Sequence, residues 1–257
     1  MGDGKGDDFS FIIVGTNQLC GGLRLIENAM RAQAIYFCLI VGTALNQSPQ
    51  QTPERMTRLA VRFQSPEVPA NSFGAKPKLI YRGGDRYCRV EEAADIEHRI
   101  QALAIINEPD AWFVNLVTKT GRHKVDSAST QVCHLPLFAQ DENRSPNREA
   151  HALRKALEFG REISYFQALG ISPTNGPILF GKPTRAYTFE DRDFRLQLFT
   201  TGVSEHPLVV ARTSGSRQEF YFYDAFEEIP FDPNLFVKPL GITIQEDVAP
   251  QTSPRQN

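Results

Sequence analysis

The sequence has few of the features that mark several large classes of protein. Its net charge is −2, which gives no sign of a nucleic acid or an anionic membrane as a partner. Its longest apolar run, 34–45, has 12 residues, whereas a membrane-spanning helix needs roughly 18–20. We therefore expect neither a nucleic-acid-binding protein nor a protein that spans a membrane with helices.

Sequence-local motifs of catalytic and metal sites are also lacking. The four cysteines contain no Cys-x-x-Cys pair, and the five histidines show no zinc-ligand spacing. No Gly-x-Ser-x-Gly elbow occurs. Cys133 and His134 are neighbours, and neighbours in an extended segment point in opposite directions, so they are not expected to form a catalytic thiol–imidazole pair. These patterns predict a protein without enzymatic activity, metal or cofactor.

One segment, Gly176–Thr184, nearly matches a phosphate-binding loop. Pro183 stands where that loop needs a hydroxyl to hold magnesium. A phosphate-binding loop also follows a strand and opens a helix, whereas this segment follows a helical pattern and precedes a hairpin pattern. We interpret the segment as a connecting loop.

The beginning of the chain is unusual. Residues 1–10 carry three Asp and one Lys, the wrong charge for the start of a signal peptide. Read from Met30, the sequence offers a positive charge at Arg31, a short apolar core at Ile35–Val41 and small residues for cleavage at Gly42–Ala44. This pattern predicts a signal peptide whose true start is Met30, and a periplasmic or otherwise exported protein.

The remaining boundaries follow from composition. We expect residues 1–45 to hold a leader and the signal peptide, 46–53 a linker, 54–246 one domain and 247–257 a disordered tail. The alternative is a cytoplasmic protein in which Leu23–Leu45 forms a single amphipathic helix.

The cysteines bear on the compartment. Cleavage after Ala44 would leave Cys88 and Cys133, and an even pair in an oxidising compartment favours a disulfide between them. Two buried, unpaired thiols are the alternative.

Antiparallel strands account for most of the domain. Turn residues such as Gly-Gly-Asp, Asn-Glu-Pro-Asp and Ser-Gly-Ser separate short runs rich in β-branched and aromatic residues. The pattern predicts hairpins over 78–92, 185–199 and 206–226 and a three-stranded meander over 98–126.

A helix of about 20 residues, or nearly six turns, is predicted for 145–170. Ser145 is the expected N-cap, apolar residues from Leu153 to Phe166 recur at helical spacing, and Gly170 ends the pattern. With the strands on either side, this helix predicts an α+β fold in which a curved antiparallel half-barrel wraps around one long central helix.

Several strands of the pattern are apolar on both faces, and one helix cannot cover them all. Alternation along the strands therefore predicts an apolar cleft for a hydrophobic ligand. The expected lining residues are Ile100, Trp112, Val114, Leu116, Phe194, Leu196, Leu198, Phe220 and Phe222.

The C-terminal passage from Glu219 to Glu246 resembles the ending of the LolA/LolB-like superfamily of lipoprotein-sorting and periplasmic lipid-handling proteins. The matching positions are Pro230, Phe231, Asp232, Pro233, Leu235, Phe236, Pro239 and Gly241. The resemblance implies a LolA-like half-barrel whose hydrophobic side is plugged by helices.

The resemblance and the cleft together predict an exported, non-enzymatic, monomeric carrier of lipid acyl chains or lipoproteins. Desolvation of the chains would supply the affinity, at about 0.8 kcal/mol per buried methylene. Two alternatives are a protein-binding sensor or scaffold module of the same fold, with membrane-associated partner proteins, and a hydrolase whose site is assembled across strands.

Overall fold

The computed structural model describes residues 52–69, 72, 75–125, 132–138, 157–192, 194–202 and 205–246. The predicted leader and signal peptide, nearly all of the linker, and the C-terminal tail lie outside these residues. Within them, one sheet of 12 strands contains every strand, in the order β12-β6-β5-β4-β3-β2-β1-β11-β10-β9-β8-β7. Neighbouring strands are antiparallel except for β12, which runs parallel to β6.

The first half of the sheet is formed by six strands that follow one another in the chain. β2 and β3 form the predicted hairpin around Gly84, and β4, β5 and β6 form the predicted meander, so both predictions are confirmed. The strands are β1 (Arg55–Gln64), β2 (Lys78–Gly83), β3 (Tyr87–Glu92), β4 (Ala102–Asn107), β5 (Asp110–Asn115) and β6 (Thr120–Val125).

The second half is added through β11, the longest strand, which pairs along the whole of β1. The predicted hairpins β8–β9 and β10–β11 are confirmed. The strands are β7 (Thr174–Leu179), β8 (Lys182–Glu190), β9 (Arg195–Thr201), β10 (Pro207–Ser214), β11 (Arg217–Pro230) and β12 (Thr243–Glu246).

The predicted long central helix is wrong, and with it the α+β fold built around it. Leu157 and Phe159 are extended, because their backbone groups bond to Leu137 and Leu135 in an antiparallel bridge. Gly160 then turns the chain at φ +79°, and the only α-helix in the described part of the chain, α1 (Glu162–Ala168), has 7 residues. Leu157, Phe159 and Phe166 are buried, but at Leu157–Phe159 pairing with 135–137 outweighs the local helical preference. The N-cap predicted at Ser145 lies outside the described residues.

Both faces of the sheet carry a hydrophobic cluster. One face, here called the strap face, holds Leu59, Ile80, Leu198 and Val210, all with no exposed surface. It is covered by 132–138 and 157–169, which we call the cover. Cross-strand pairs such as Leu59 with Ile80 and Val210 with Leu198 keep these side chains in one layer.

The opposite face, here called the crossover face, is covered in the first half of the sheet by the chain after β11. This segment contains a short 3-10 helix, Pro233–Phe236, begun by Pro233 and by Asp232, whose carboxylate accepts from the Asn234 amide. The Phe236 ring is fully buried against Met56, Leu103 and Ile105. The segment thereby carries the chain across the sheet to its pairing with β6.

Replacing Phe236 by Ala is expected to lower the free energy of unfolding by about 3–5 kcal/mol, because a fully buried ring is lost from the crossover face. Urea unfolding followed by circular dichroism measures the change. The neighbouring Val237 is half exposed, so Val237→Ala serves as the control and should change stability little. Equal losses for the two variants would contradict this packing.

Candidate functional site

The cover is tied to the sheet at one end by a disulfide. Cys133 of the cover is bonded to Cys88 of β3, with Cα atoms 6.3 Å apart, and both residues are almost completely buried. The Cys133 amide also donates to the carbonyl oxygen of Asp85, in the β2–β3 turn. The cover is therefore fixed covalently where it first meets the strap face.

Arg82 is the polar centre of this attachment. It lies on β2 opposite Cys88 and points to the strap face, as does Ile80 two residues before it. Its guanidinium donates to the carbonyl oxygens of Phe159 (3.0 Å) and Cys133 (3.1 Å) and to Oε2 of Glu158 (2.7 Å). All three acceptors belong to the cover, so one buried side chain of the sheet holds both of its extended segments.

Glu158 carries a second partner. Its Oε1 lies 2.6 Å from Nδ1 of His134, whose side chain is half exposed. Burial alone would raise the pKa of Glu158, but the His134 hydrogen bond and the Arg82 charge outweigh it and hold that pKa below its ordinary value. The same hydrogen bond raises the pKa of His134. The Arg82–Glu158–His134 network thus keeps its carboxylate charged inside the protein.

A second buried carboxyl fixes the start of α1. Oε1 of Glu162 accepts from the Gly160 amide at 2.8 Å and from the hydroxyl of Tyr223 on β11. Burial raises the pKa of Glu162 and also that of Tyr223, which is raised well above its ordinary value. This contact joins the cover to the opposite half of the sheet from the disulfide.

The far end of the first cover segment is held by an aromatic contact. The Arg212 guanidinium lies over the Phe138 ring, 4.6 Å from its centroid, and Arg212 forms an ion pair with Glu219. Phe138 and Phe159 also pack on Tyr221, with ring centroids 5.6 and 5.0 Å apart.

Apolar side chains supply the rest of the cover's contact with the strap face. They are buried in the same cluster as the strand residues beneath them: Leu135, Leu137, Phe138, Leu157, Phe159, Tyr165 and Phe166. The backbone bonds of the two extended segments, by contrast, run mainly between the segments themselves, at Leu137–Leu157 and Leu135–Phe159. The cover is therefore held on the sheet by side chains and a disulfide rather than as a further strand.

The structure does not bring the predicted cleft residues together. Phe194, Leu196 and Leu198 are buried on the strap face, beneath the cover. Trp112, Val114 and Leu116 belong to the cluster on the crossover face, and Ile100 lies in a bridge with Asp95 before β4. Phe220 and Phe222 lie on the crossover face of the second half, where their rings stack 6.1 Å apart. They therefore occupy separate surfaces of the sheet instead of one lining.

Sequence reasoning missed the polar residues that hold the cover. One local signal was present, because Arg82 shares its strand face with the apolar Ile80. Its partner Glu158 lies 76 residues away, and Glu162 and Tyr223, which bond to each other, lie 61 residues apart, so none of them carries a local sequence signal. Within the described residues, no group of three or more His, Cys, Asp or Glu could hold a metal ion. The same part of the chain contains no helix long and apolar enough to cross a membrane.

Replacing Arg82 by Met is expected to lower the free energy of unfolding by about 3–5 kcal/mol, because Glu158 would keep a buried charge without its cation. The control is Arg58→Met, which breaks the exposed pair with Glu227 and should cost less than about 1 kcal/mol. Urea unfolding measures both. A loss for Arg82→Met no larger than that for the control would contradict the role of the buried pair.

The raised pKa of His134 predicts a pH dependence of stability. The folded protein holds the proton to higher pH than the unfolded chain, so the stabilisation is complete below the ordinary pKa of 6.5 and is lost as pH rises through the raised value. We expect the stability difference between the wild type and His134→Asn to shrink over that range, as measured by urea unfolding at a series of pH values. If the stability difference between the two proteins does not change with pH, the His134–Glu158 contact is not the source of that difference.

Comparison with protein families and with curated proteins finds no match. Among solved structures, distant likenesses include an uncharacterized conserved protein from Thermus thermophilus (TM-score 0.44, 10% identity, covering 76% of this chain and 91% of that chain). Another is the MucA/MucB complex of Pseudomonas aeruginosa (TM-score 0.38, 9% identity, covering 72% of this chain and 56% of that chain). A third is a LolA superfamily protein from Nitrosomonas europaea (TM-score 0.30, 12% identity, covering 73% of this chain and 91% of that chain). At these scores and identities the likenesses support no conclusion about the family of this chain or about what it binds.

Proposed function

We propose that the protein is an exported, non-enzymatic binding protein for acyl chains of a lipid or lipoprotein, which occupy the strap face when the cover moves aside. One observation carries the proposal. The strap face is apolar across both halves of the sheet, and it is covered by two short extended segments and a helix of 7 residues. These are held by side chains and one disulfide.

The energetics of such an exchange are favourable in principle. The cover buries aliphatic and aromatic side chains against the strand residues, and an acyl chain would bury the same apolar surface in their place. Each methylene removed from water contributes about 0.8 kcal/mol, and the ligand must also offset the loss of the Arg82–Glu158 and Glu162–Tyr223 contacts, so a ligand with at least two chains is expected. The disulfide keeps the displaced cover attached at Cys133, close to the site.

The disulfide also supports export. A bond between Cys88 and Cys133 forms and persists in an oxidising compartment such as the periplasm. The charged groups at the site support binding rather than catalysis. Arg82 and Glu158 are engaged with each other and with the backbone of the cover, and Glu162 is engaged with Tyr223.

Titration of the purified full-length protein with a fluorescent dansyl fatty acid tests the proposal. Phe159→Ala should bind the probe roughly tenfold more tightly than the wild type, because the cover then competes less well for the strap face. The matched control is Phe236→Ala, which removes another buried ring from the opposite face and should leave the affinity unchanged.

Native mass spectrometry of the wild-type protein, purified from the periplasm of an expressing cell, gives a second readout that needs no variant. Co-purified lipid is the expected result. The proposal is lost if no lipid co-purifies and neither the wild type nor Phe159→Ala binds the probe. It is also lost if both Phe variants gain affinity alike, since that would reflect general loosening of the fold.

A further inference from the structure

The tip of the β7–β8 hairpin displays two large apolar side chains to solvent. Ile178 is 74% exposed and Phe180 is 68% exposed, and they flank Leu179 at the end of the edge strand. Isolated exposed apolar residues are common on proteins, whereas these two lie two positions apart and form a small apolar surface at the turn.

The tip has a fixed shape. Leu179 pairs with Lys182, and the two residues between them, Phe180 and Gly181, have φ values of +53° and +73°. Positive φ at both residues is the geometry of a tight two-residue hairpin turn, and Phe is a rare residue at its first position. The Phe180 ring also meets Phe222 edge-on, with centroids 6.3 Å apart. The exposed ring is therefore held in place before any partner arrives.

The positive charge at the tip comes from one residue, Lys182. No Asp or Glu occurs in 163–189, although the whole chain has a net charge of −2. The cations of this stretch are Lys182 at the tip and Arg185, which is paired with Glu205. Lys182 is exposed and has no ion-pair partner among the described residues. The tip thus combines apolar side chains with an available positive charge.

We propose that the β7–β8 hairpin tip docks on an anionic membrane surface, with Ile178 and Phe180 entering the interface and Lys182 contacting lipid phosphate. Side chains of this composition, an apolar pair beside a lysine, suit the boundary between headgroups and acyl chains. Pairing of another protein's strand with β7 is disfavoured, because Pro177 and the register shift between Asn175 and Ile178 interrupt the edge. The inference does not depend on acyl-chain binding at the strap face.

Co-sedimentation of the full-length protein with vesicles tests the proposal. The vesicles contain phosphatidylglycerol and phosphatidylcholine in equal amounts, and vesicles of phosphatidylcholine alone are the reference. Ile178→Ser should bind the anionic vesicles roughly tenfold more weakly than the wild type, and Lys182→Gln roughly fivefold more weakly. The control is Ile96→Ser, which removes an isoleucine of similar exposure, 71%, from another loop and should bind as the wild type does. The wild type and all variants contain the same N-terminal apolar run, 34–45, so differences in vesicle binding between them come from the substituted residues.

Insertion itself has a separate readout. The chain contains one Trp, so Phe180→Trp adds a second fluorophore at the tip, and Ile96→Trp adds one at the control position. Brominated lipids in the anionic vesicles should quench the added fluorescence of Phe180→Trp and not that of Ile96→Trp.

The proposal is overturned if the wild type binds no anionic vesicle, or if Ile178→Ser binds as well as Ile96→Ser. It is also overturned if the tip instead mediates self-association, seen as a dimer by analytical ultracentrifugation that Phe180→Ser abolishes in the absence of lipid. Failure of fatty-acid binding leaves these outcomes unchanged, so the two proposals fail separately.

Discussion

The buried ion pair between Arg82 and Glu158 is the interaction on which the arrangement of the strap face depends. A guanidinium inside an apolar face is costly unless its donors find acceptors, and every acceptor of the Arg82 Nη1 and Nη2 groups comes from the cover. The dependence is mutual, because the cover's two extended segments have few backbone bonds to the sheet and use Arg82 as their common anchor. The disulfide sets the position of the cover and the ion pair sets its orientation. Together they let a short, mostly irregular segment seal a large apolar surface.

The two apolar faces of the sheet are covered in different ways. On the crossover face, the chain after β11 packs Phe236 into a complete cluster and then joins the sheet as β12, so its backbone is tied in by strand pairing. On the strap face, the cover brings apolar side chains of comparable size but pairs mainly with itself. A cover without ladder hydrogen bonds to the sheet opens at a lower cost than a paired strand. This difference is the physical basis for placing a ligand on the strap face.

The two proposed surfaces have opposite characters. The strap face is buried and would accept a hydrophobic ligand only after the cover moves. Affinity there would come from removing the ligand's acyl chains from water. The β7–β8 tip is permanently exposed and combines Ile178 and Phe180 with the positive charge of Lys182. The chain's net charge of −2 gives no sign of this exposed lysine. An exported protein with both surfaces would bind acyl chains on one face of its sheet and meet a membrane with one edge.

Local sequence patterns were enough to locate most of the strands, but not β1, and the segment of β7 was interpreted as a connecting loop. Alternation and turn residues marked the β2–β3, β8–β9 and β10–β11 hairpins and the β4–β6 meander, because these depend on local spacing and on which residues tolerate a turn. Long-range packing decided 157–170, where Leu157–Phe159 pair with 135–137 and the helix is confined to Glu162–Ala168. The same holds for the site. The strand faces were readable, but which face each cluster would occupy, and that Arg82 would meet Glu158 across 76 residues, depends on long-range packing that no local pattern encodes.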